Sequence, residues 1–284
     1  MRTLKTGFLL TALTLILVFG GEALAGRQGM TFGLILAVFM NGIAYFFSDR
    51  IALMSSGARP VSREQAPRLY TVMERLAAKG NLPMPKLYVI PQPAPNAFAT
   101  GRNPSHASVA ATEGLLELMN DDELEGVIAH ELSHVRNYDI LTTSIAATLA
   151  GAITWIAQMG RFALIFGGYG GDRDRRGGGL EALLMLIVAP IAAMLIQLGI
   201  SRQREYAADA AGARLVGHPY GLISALEKLG AYNKRIPMTN VTPATSSLYI
   251  VTPLSPGQVF MGLFSTHPPL PERIEALRRM TVSR

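Results

Sequence analysis

Residues 130–134 read His130-Glu131-Leu132-Ser133-His134. On a helix, positions i and i+4 share a face, so both imidazoles reach one metal ion. Glu131 then lies beside that ion, placed to take a proton from water. The residues upstream predict the helix. Asn120 is a ready N-cap, and Glu123 three residues later completes a capping box. Leu124, Val127, Ile128, Leu132 and Val135 supply an apolar stripe at helical spacing. The plainer alternative is a pair of solvated or core histidines. With five histidines in 284 residues, chance placement of this pattern is rare.

A catalytic zinc site takes three protein ligands and leaves one position for water. The chain has no cysteine, which excludes a disulfide framework, an iron–sulfur cluster and a thiol nucleophile. A third ligand must therefore be a histidine or a carboxylate. His106, His218 and His267 remain, and His106 and His218 read as ordinary surface or packing residues. The segment beginning Ser201-Arg202-Gln203-Arg204-Glu205 continues through Tyr206-Ala207-Ala208 to Asp209. Glu205 and Asp209 again stand four apart. In that arrangement Glu205 can ligate while Asp209 fixes a histidine from its far ring nitrogen. An exposed acidic pair has the same spacing, and spacing alone leaves both readings open.

The surroundings are apolar. The hydrophobic set makes up 49% of the chain, charged residues only 16%, and mean hydropathy is +0.27. Soluble domains carry about 25% charged residues. The composition excludes a disordered chain and argues against an ordinary soluble enzyme. Residues 6–21, 28–48, 140–160 and 182–201 hold no charge over lengths near the roughly 20 residues that cross a bilayer. The first has features of a cleavable signal, with Arg2 and Lys5 ahead and Ala23-Leu24-Ala25 behind. A second apolar run after one short basic turn favours an uncleaved anchor. The third contains Thr142, Thr143, Ser144 and Gln158, and a buried or re-entrant helix is its alternative.

The expected fold is a mainly α membrane protein. Four transmembrane helices accompany one zincin-like α+β metalloprotease domain with a small sheet. Residues 6–48 form an N-terminal hairpin. Residues 49–139 form the first part of the protease domain, 140–201 a second hairpin with a glycine-rich loop at 167–179, and 202–284 the second part. His134 closely precedes the third span and Glu205 closely follows the fourth. Two crossings separate them, so the ligands emerge on the same side, each roughly 6–9 Å beyond its span end. Arg2 and Lys5, then Arg50, Arg59 and Arg63, then Arg202 and Arg204 flank the spans and place both termini and the protease domain in the cytoplasm. Arg173, Arg175 and Arg176 in the second hairpin loop, offset by Asp172 and Asp174, run against this, but the earlier hairpin usually sets topology. The net charge of +6 is thereby assigned to membrane flanks, with no nucleic-acid partner.

Residues 96–100 and 107–112 flank a turn with Gly101, Asn103 and Pro104, which reads as a β-hairpin. An edge strand beside a metal can pair with an extended substrate. Asn96, Ala97 and Phe98 are thus candidate substrate contacts, with a purely structural hairpin as the alternative. His267 is a candidate oxyanion stabiliser or a loop histidine satisfied by its neighbours. Tyr206 and Trp155 read as packing or interfacial aromatics. Residues 236–258, rich in Pro, Thr and Ser, look like a surface loop.

HELSH at 130–134, SRQREYAADAAGA at 201–213, PNAFATG at 95–101 and STHPPLPERI at 265–274 together resemble the HtpX family of membrane zinc metalloproteases, relatives of the CAAX prenyl proteases. The resemblance runs nearly end to end. It implies one Zn2+ per chain on His130, His134 and Glu205, with Glu131 catalytic. It also implies a multi-pass protein of the bacterial inner membrane, with protein or peptide substrates and a stress-response role in degrading misfolded membrane proteins. A narrow processing protease acting on lipidated C-termini is an alternative, against which four spans leave little room for a large intramembrane chamber. A non-catalytic scaffold with a relic zinc site is another, and the intact Glu131 counts against it.

Overall fold

The structure is a computed structural model that describes residues 2–151, 202–233, 248–251 and 268–280. The fourth apolar stretch, the 167–179 loop, Trp155 and His267 lie outside those residues, as does most of the 236–258 loop.

Helix α1 (Arg2–Ser55) is two helical arms meeting at a break. Ala25 leaves helical geometry with φ −144°, and Gly26 turns the chain at φ 59°. Glycine tolerates that left-handed angle without a Cβ clash. The arms then run side by side. A Cβ placed on Gly29 would strike the carbonyl of Gly21, and one on Gly33 would strike that of Leu17. Small residues permit such close backbone approach between apolar helices. Asn41 Nδ2 joins the arms by donating to Leu10 O at 3.2 Å and Thr14 Oγ1 at 2.9 Å. The two arms of α1 thus form a helical hairpin. Its second arm, Ala25–Ser55, is the one helix among the described residues long and apolar enough to cross a membrane, and the apolar part of the first arm, Thr6–Glu22, is shorter. Phe19, Phe32, Ile35, Val38 and Phe39 are exposed along the arms, an outward apolar surface suited to lipid.

The small sheet has four strands: β1 (Arg59–Pro60), β2 (Lys86–Ile90), β3 (Ala97–Gly101) and β4 (Ala107–Thr112). Their order is β1-β2-β4-β3, with β2 parallel to β4 and the other pairs antiparallel. The expected hairpin is β3–β4, with Ala99 opposite Val109. This leaves β3 at the edge of the sheet.

Helices α2 (Pro67–Lys79), α3 (Glu113–Leu118) and α4 (Asp121–Arg136) come before the third apolar stretch. Helix α5 (residues 139–151) opens that stretch. Helices α6 (Arg202–Val216), α7 (Tyr220–Asn233) and α8 (Leu270–Arg278) follow. The predicted cap on α4 is present in both directions. Asn120 Oδ1 accepts from the Glu123 N–H, and the Asn120 N–H donates to Glu123 Oε2, each at 2.9 Å. Such a cap stabilises by about 1 kcal/mol. Leu124, Val127, Ile128, Leu132 and Val135 are all buried, as their spacing predicted, in a core shared with Leu69, Met73 and Leu76 of α2 and Leu222 and Leu226 of α7. Helix α6 presses directly on α4. A Cβ on Gly212 would stand 2.9 Å from the His130 backbone nitrogen.

Helix α5 leans on α1. Leu9, Leu13 and Ala44 pack with Ile145, Ala146 and Leu149. Three polar residues in the described part of this stretch are satisfied inside the protein. Thr142 shares a hydrogen bond with Thr6 at 3.1 Å, and Ser144 one with Thr100 of β3 at 2.7 Å. Thr143 Oγ1 donates to the Asp139 carbonyl at 3.0 Å.

Candidate metal centre

Helix α4 presents His130 and His134 on one face, and α6 brings Glu205 opposite them. The two Nε2 atoms are 3.2 Å apart. Glu205 Oε2 is 3.7 Å from His130 Nε2, and Oε1 is 3.6 Å from His134 Nε2. One ligand atom from each residue lies within 4.8 Å of the others, and this is the one such cluster of three or more metal-binding side chains found among the described residues. A tetrahedral zinc with ligands at about 2.0–2.1 Å has ligand–ligand edges of roughly 3.3 Å. The donor set therefore fits zinc in type and in spacing.

Each histidine uses its other ring nitrogen on a carboxylate. His130 Nδ1 lies 2.8 Å from Asp209 Oδ1. Arg273 of α8 grips the same carboxylate in bidentate fashion, with Nε to Oδ2 at 2.8 Å and Nη2 to Oδ1 at 2.7 Å. Its remaining Nη1 donates to the Ile250 carbonyl at 2.8 Å. Arg273 is 0% exposed. His134 Nδ1 lies 3.4 Å from Asp139 Oδ2, and Arg204 Nη1 lies 3.3 Å from Asp139 Oδ1.

Glu131 is buried beside the cluster and accepts a hydrogen bond from the Ala99 N–H. Burial pushes its carboxyl up to about 7; the charge of Glu205 adds to the rise, while His134 and the Ala99 N–H oppose it. For His134 burial works downward, but Asp139, Glu205 and Glu131 outweigh it and push the ring up to about 9. His130 goes the other way. Burial lowers it, and Asp209 only partly restores it. Burial would raise Asp209, yet Arg273 and His130 hold its carboxyl below the usual range. A bound cation would pull Glu131 and His134 down.

The cluster opens into a cleft of about 30 Å³ floored by His130, Glu131, His134 and Glu205. Ala99, Ile140 and the residues from Leu248 to Ile250 form its walls. Residues 248–251 run along the outer edge of β3. The Ile250 N–H donates to the Ala97 carbonyl at 3.0 Å. Asn96 Nδ2 donates to the Val251 carbonyl at 2.8 Å. Phe98 meets Tyr249 edge to face at 5.2 Å. Asn96, Ala97 and Phe98 are thus engaged with the chain's own segment, and Ala99 is the β3 residue that reaches the cleft. His267 lies outside the described residues. His106 bonds Asn103 at 2.9 Å, and His218 stacks on Tyr220. The Tyr206 hydroxyl donates to Glu272 at 2.9 Å.

The sequence reading did not single out three residues around the centre. Arg273 reads as the polar face of a terminal helix, Arg204 as membrane-flanking charge, and Asp139 as the polar end of an apolar stretch. The signal for Arg273 was its place in the 265–274 motif. Nothing local marked the other two.

Comparison with known proteins agrees with this geometry. Residues 63–281 match the sequence pattern of peptidase family M48. A protease HtpX homolog of Desulfatibacillum aliphaticivorans is 56% identical over 275 residues, covering 96% of this chain and 88% of the relative. One from Syntrophotalea carbinolica is 52% identical over 282 residues, covering 99% and 100%. One from Pyrococcus furiosus is 50% identical over 279 residues, covering 98% and 96%. Among solved structures, the crystal structure of S. mikatae Ste24p superposes with a TM-score of 0.52 at 22% identity. That match covers 97% of this chain but only 64% of Ste24p, and it speaks to the fold alone. A helix-borne histidine pair, a glutamate from a second helix and a sequence match over most of the chain converge on one conclusion: the chain belongs to peptidase family M48, as a membrane metalloprotease that uses zinc.

Proposed function

We propose that His130, His134 and Glu205 hold one zinc ion, that Glu131 is the general base, and that the protein is an endopeptidase cleaving damaged or misfolded membrane proteins at the cytoplasmic face. The observation that carries this is the convergence of two Nε2 atoms and the Glu205 carboxylate on one point, with Glu131 in the same cleft. Zinc at that point supplies Lewis acidity, bringing the pKa of a water toward neutrality and polarising a peptide carbonyl. Glu131 takes a proton from the attacking water and later returns it to the leaving amine. Its hydrogen bond from Ala99 holds the carboxylate beside the cleft. Asp209 keeps the far nitrogen of His130 engaged, so that Nε2 faces the ligand point. The substrate lies extended past Ala99. Asn96, Ala97 and Phe98 act on it indirectly, by fixing residues 248–251 as the opposite wall.

The membrane part of the proposal has four crossings in a bacterial inner membrane, with both termini and the protease domain cytoplasmic. The exposed apolar surface of α1 supports membrane insertion. A reporter fused after Arg284 is expected in the cytoplasm, and one inserted in 167–179 outside it. A cytoplasmic report from the loop would make the second hairpin re-entrant. For the chemistry, casein hydrolysis by the full chain in detergent is expected to stop with a zinc chelator and return with added zinc. Hydrolysis indifferent to the chelator would overturn the reading.

A further inference from the structure

We propose that Asp139 is a positioning residue of the metal centre: its carboxylate receives the Nδ1–H of His134, and Arg204 braces it from α6. This rests on the zinc reading above. Asp139 lies five residues beyond His134. In an unbroken helix it would stand about 140° round the axis and could not face the same ring. The chain makes it do so by breaking between α4 and α5. Arg136 ends α4, the Asn137 N–H closes on the Ser133 carbonyl at 3.0 Å, and Tyr138 adopts φ 57°. That left-handed angle is unfavourable for a residue with a Cβ. Burial of the Tyr138 ring does not compensate, because the side chain is 49% exposed. The turn returns Asp139 beneath His134, at 3.4 Å from Nδ1.

The second half of the device is Arg204. It precedes Glu205 in the chain and reaches Asp139 Oδ1 at 3.3 Å. Asp139 is 7% exposed and Arg204 21%. The pair joins the end of the segment that carries two ligands to the start of the segment that carries the third. Each histidine therefore has its own carboxylate and arginine: Asp209 with Arg273 for His130, Asp139 with Arg204 for His134. A carboxylate on the far nitrogen fixes the tautomer, aims Nε2 at the metal and raises ligand basicity.

The test uses the full-length, zinc-loaded protein in detergent and reads the rate of zinc loss to a chelator, kcat and KM. Asp139→Ala is expected to speed zinc loss by about 10–100-fold and to lower kcat, with KM within about twofold. Asp139→Asn should fall between Asp139→Ala and wild type, because its amide oxygen still accepts the Nδ1–H. Arg204→Met should show a smaller change of the same kind. The zinc-free Asp139→Asn protein is expected to melt with wild type, which a merely structural role would not allow. Wild-type zinc loss and kcat in Asp139→Ala would overturn the proposal. If that variant does not fold, wild-type zinc loss in both Asp139→Asn and Arg204→Met overturns it. His130→Ala separates the two levels: if it too retains full zinc, the zinc reading fails and the role of Asp139 fails with it.

Discussion

His130 and His134 stand one turn apart on the same helix, yet their surroundings differ. The His130 support is sealed. Its partner Asp209 is at 2.8 Å and is held in a two-pronged grip by an arginine with no exposed surface. The His134 support is looser. The distances are 3.4 and 3.3 Å, the ring is 16% exposed, and the arginine comes from the start of α6. Burial dominates at His130 and lowers its pKa, whereas three carboxylates around His134 overcome burial and raise it. The difference teaches that one side of the centre is a fixed scaffold within the core. The other faces the cleft and is held by longer contacts.

The largest effect should come from breaking the sealed side. Arg273→Met leaves Asp209 as a buried charge without its main partner, a change that costs about 3–5 kcal/mol. Denaturant unfolding of the full chain would read it. Arg204→Met removes a partly exposed partner and should cost about 1 kcal/mol or less. Equal losses would erase the distinction between the two supports. Next in size is Asp209→Asn, for which zinc affinity and peptidase activity should each fall by about 10–100-fold while membrane insertion persists. Chelator sensitivity unchanged from wild type would remove Asp209 from the centre.

A third test uses pH. Without metal, His134 holds its extra proton up to about 9, so at neutral pH zinc must displace that proton in order to bind. Affinity should therefore rise with pH, by up to about tenfold per unit for one proton, and level off above the pKa. Chelator competition across that range would show the slope, and flat affinity would mean that His134 is already neutral. The smallest effect concerns the turn that delivers Asp139. Tyr138→Gly relieves a left-handed φ of 57° and should stabilise the fold by about 1 kcal/mol or less, with zinc binding unchanged. A clear loss of stability on thermal unfolding would mean the tyrosine ring itself supports the turn.

What the sequence disclosed was local. The i, i+4 histidines, the Asn120–Glu123 cap and the turn between β3 and β4 each act over a few residues, and their patterns are explicit there. The mainly helical class with a small sheet was readable for the same reason. The parallel pairing of β2 with β4 was not, because it joins segments across an intervening strand. Arg273 was missed because it meets Asp209 from 64 positions away, and its neighbours on α8 look like those of any exposed helix. Asp139 was missed because helical periodicity points it away from His134; only the break at Tyr138 reverses that. Residues 248–251 read as surface loop, yet they form a wall of the cleft, held by the Asn96 side chain, the Ala97 carbonyl and Arg273.

The central claim is that the histidine pair and Glu205 hold zinc while Glu131 performs the proton transfer. Glu131→Gln tests both halves in one preparation, by metal analysis and by peptidase turnover. The account predicts about one zinc per chain and a turnover reduced by roughly 10²–10⁴-fold, the range lost when a general base is removed. Retained zinc with near-wild-type turnover would contradict it, because the base would then be another residue.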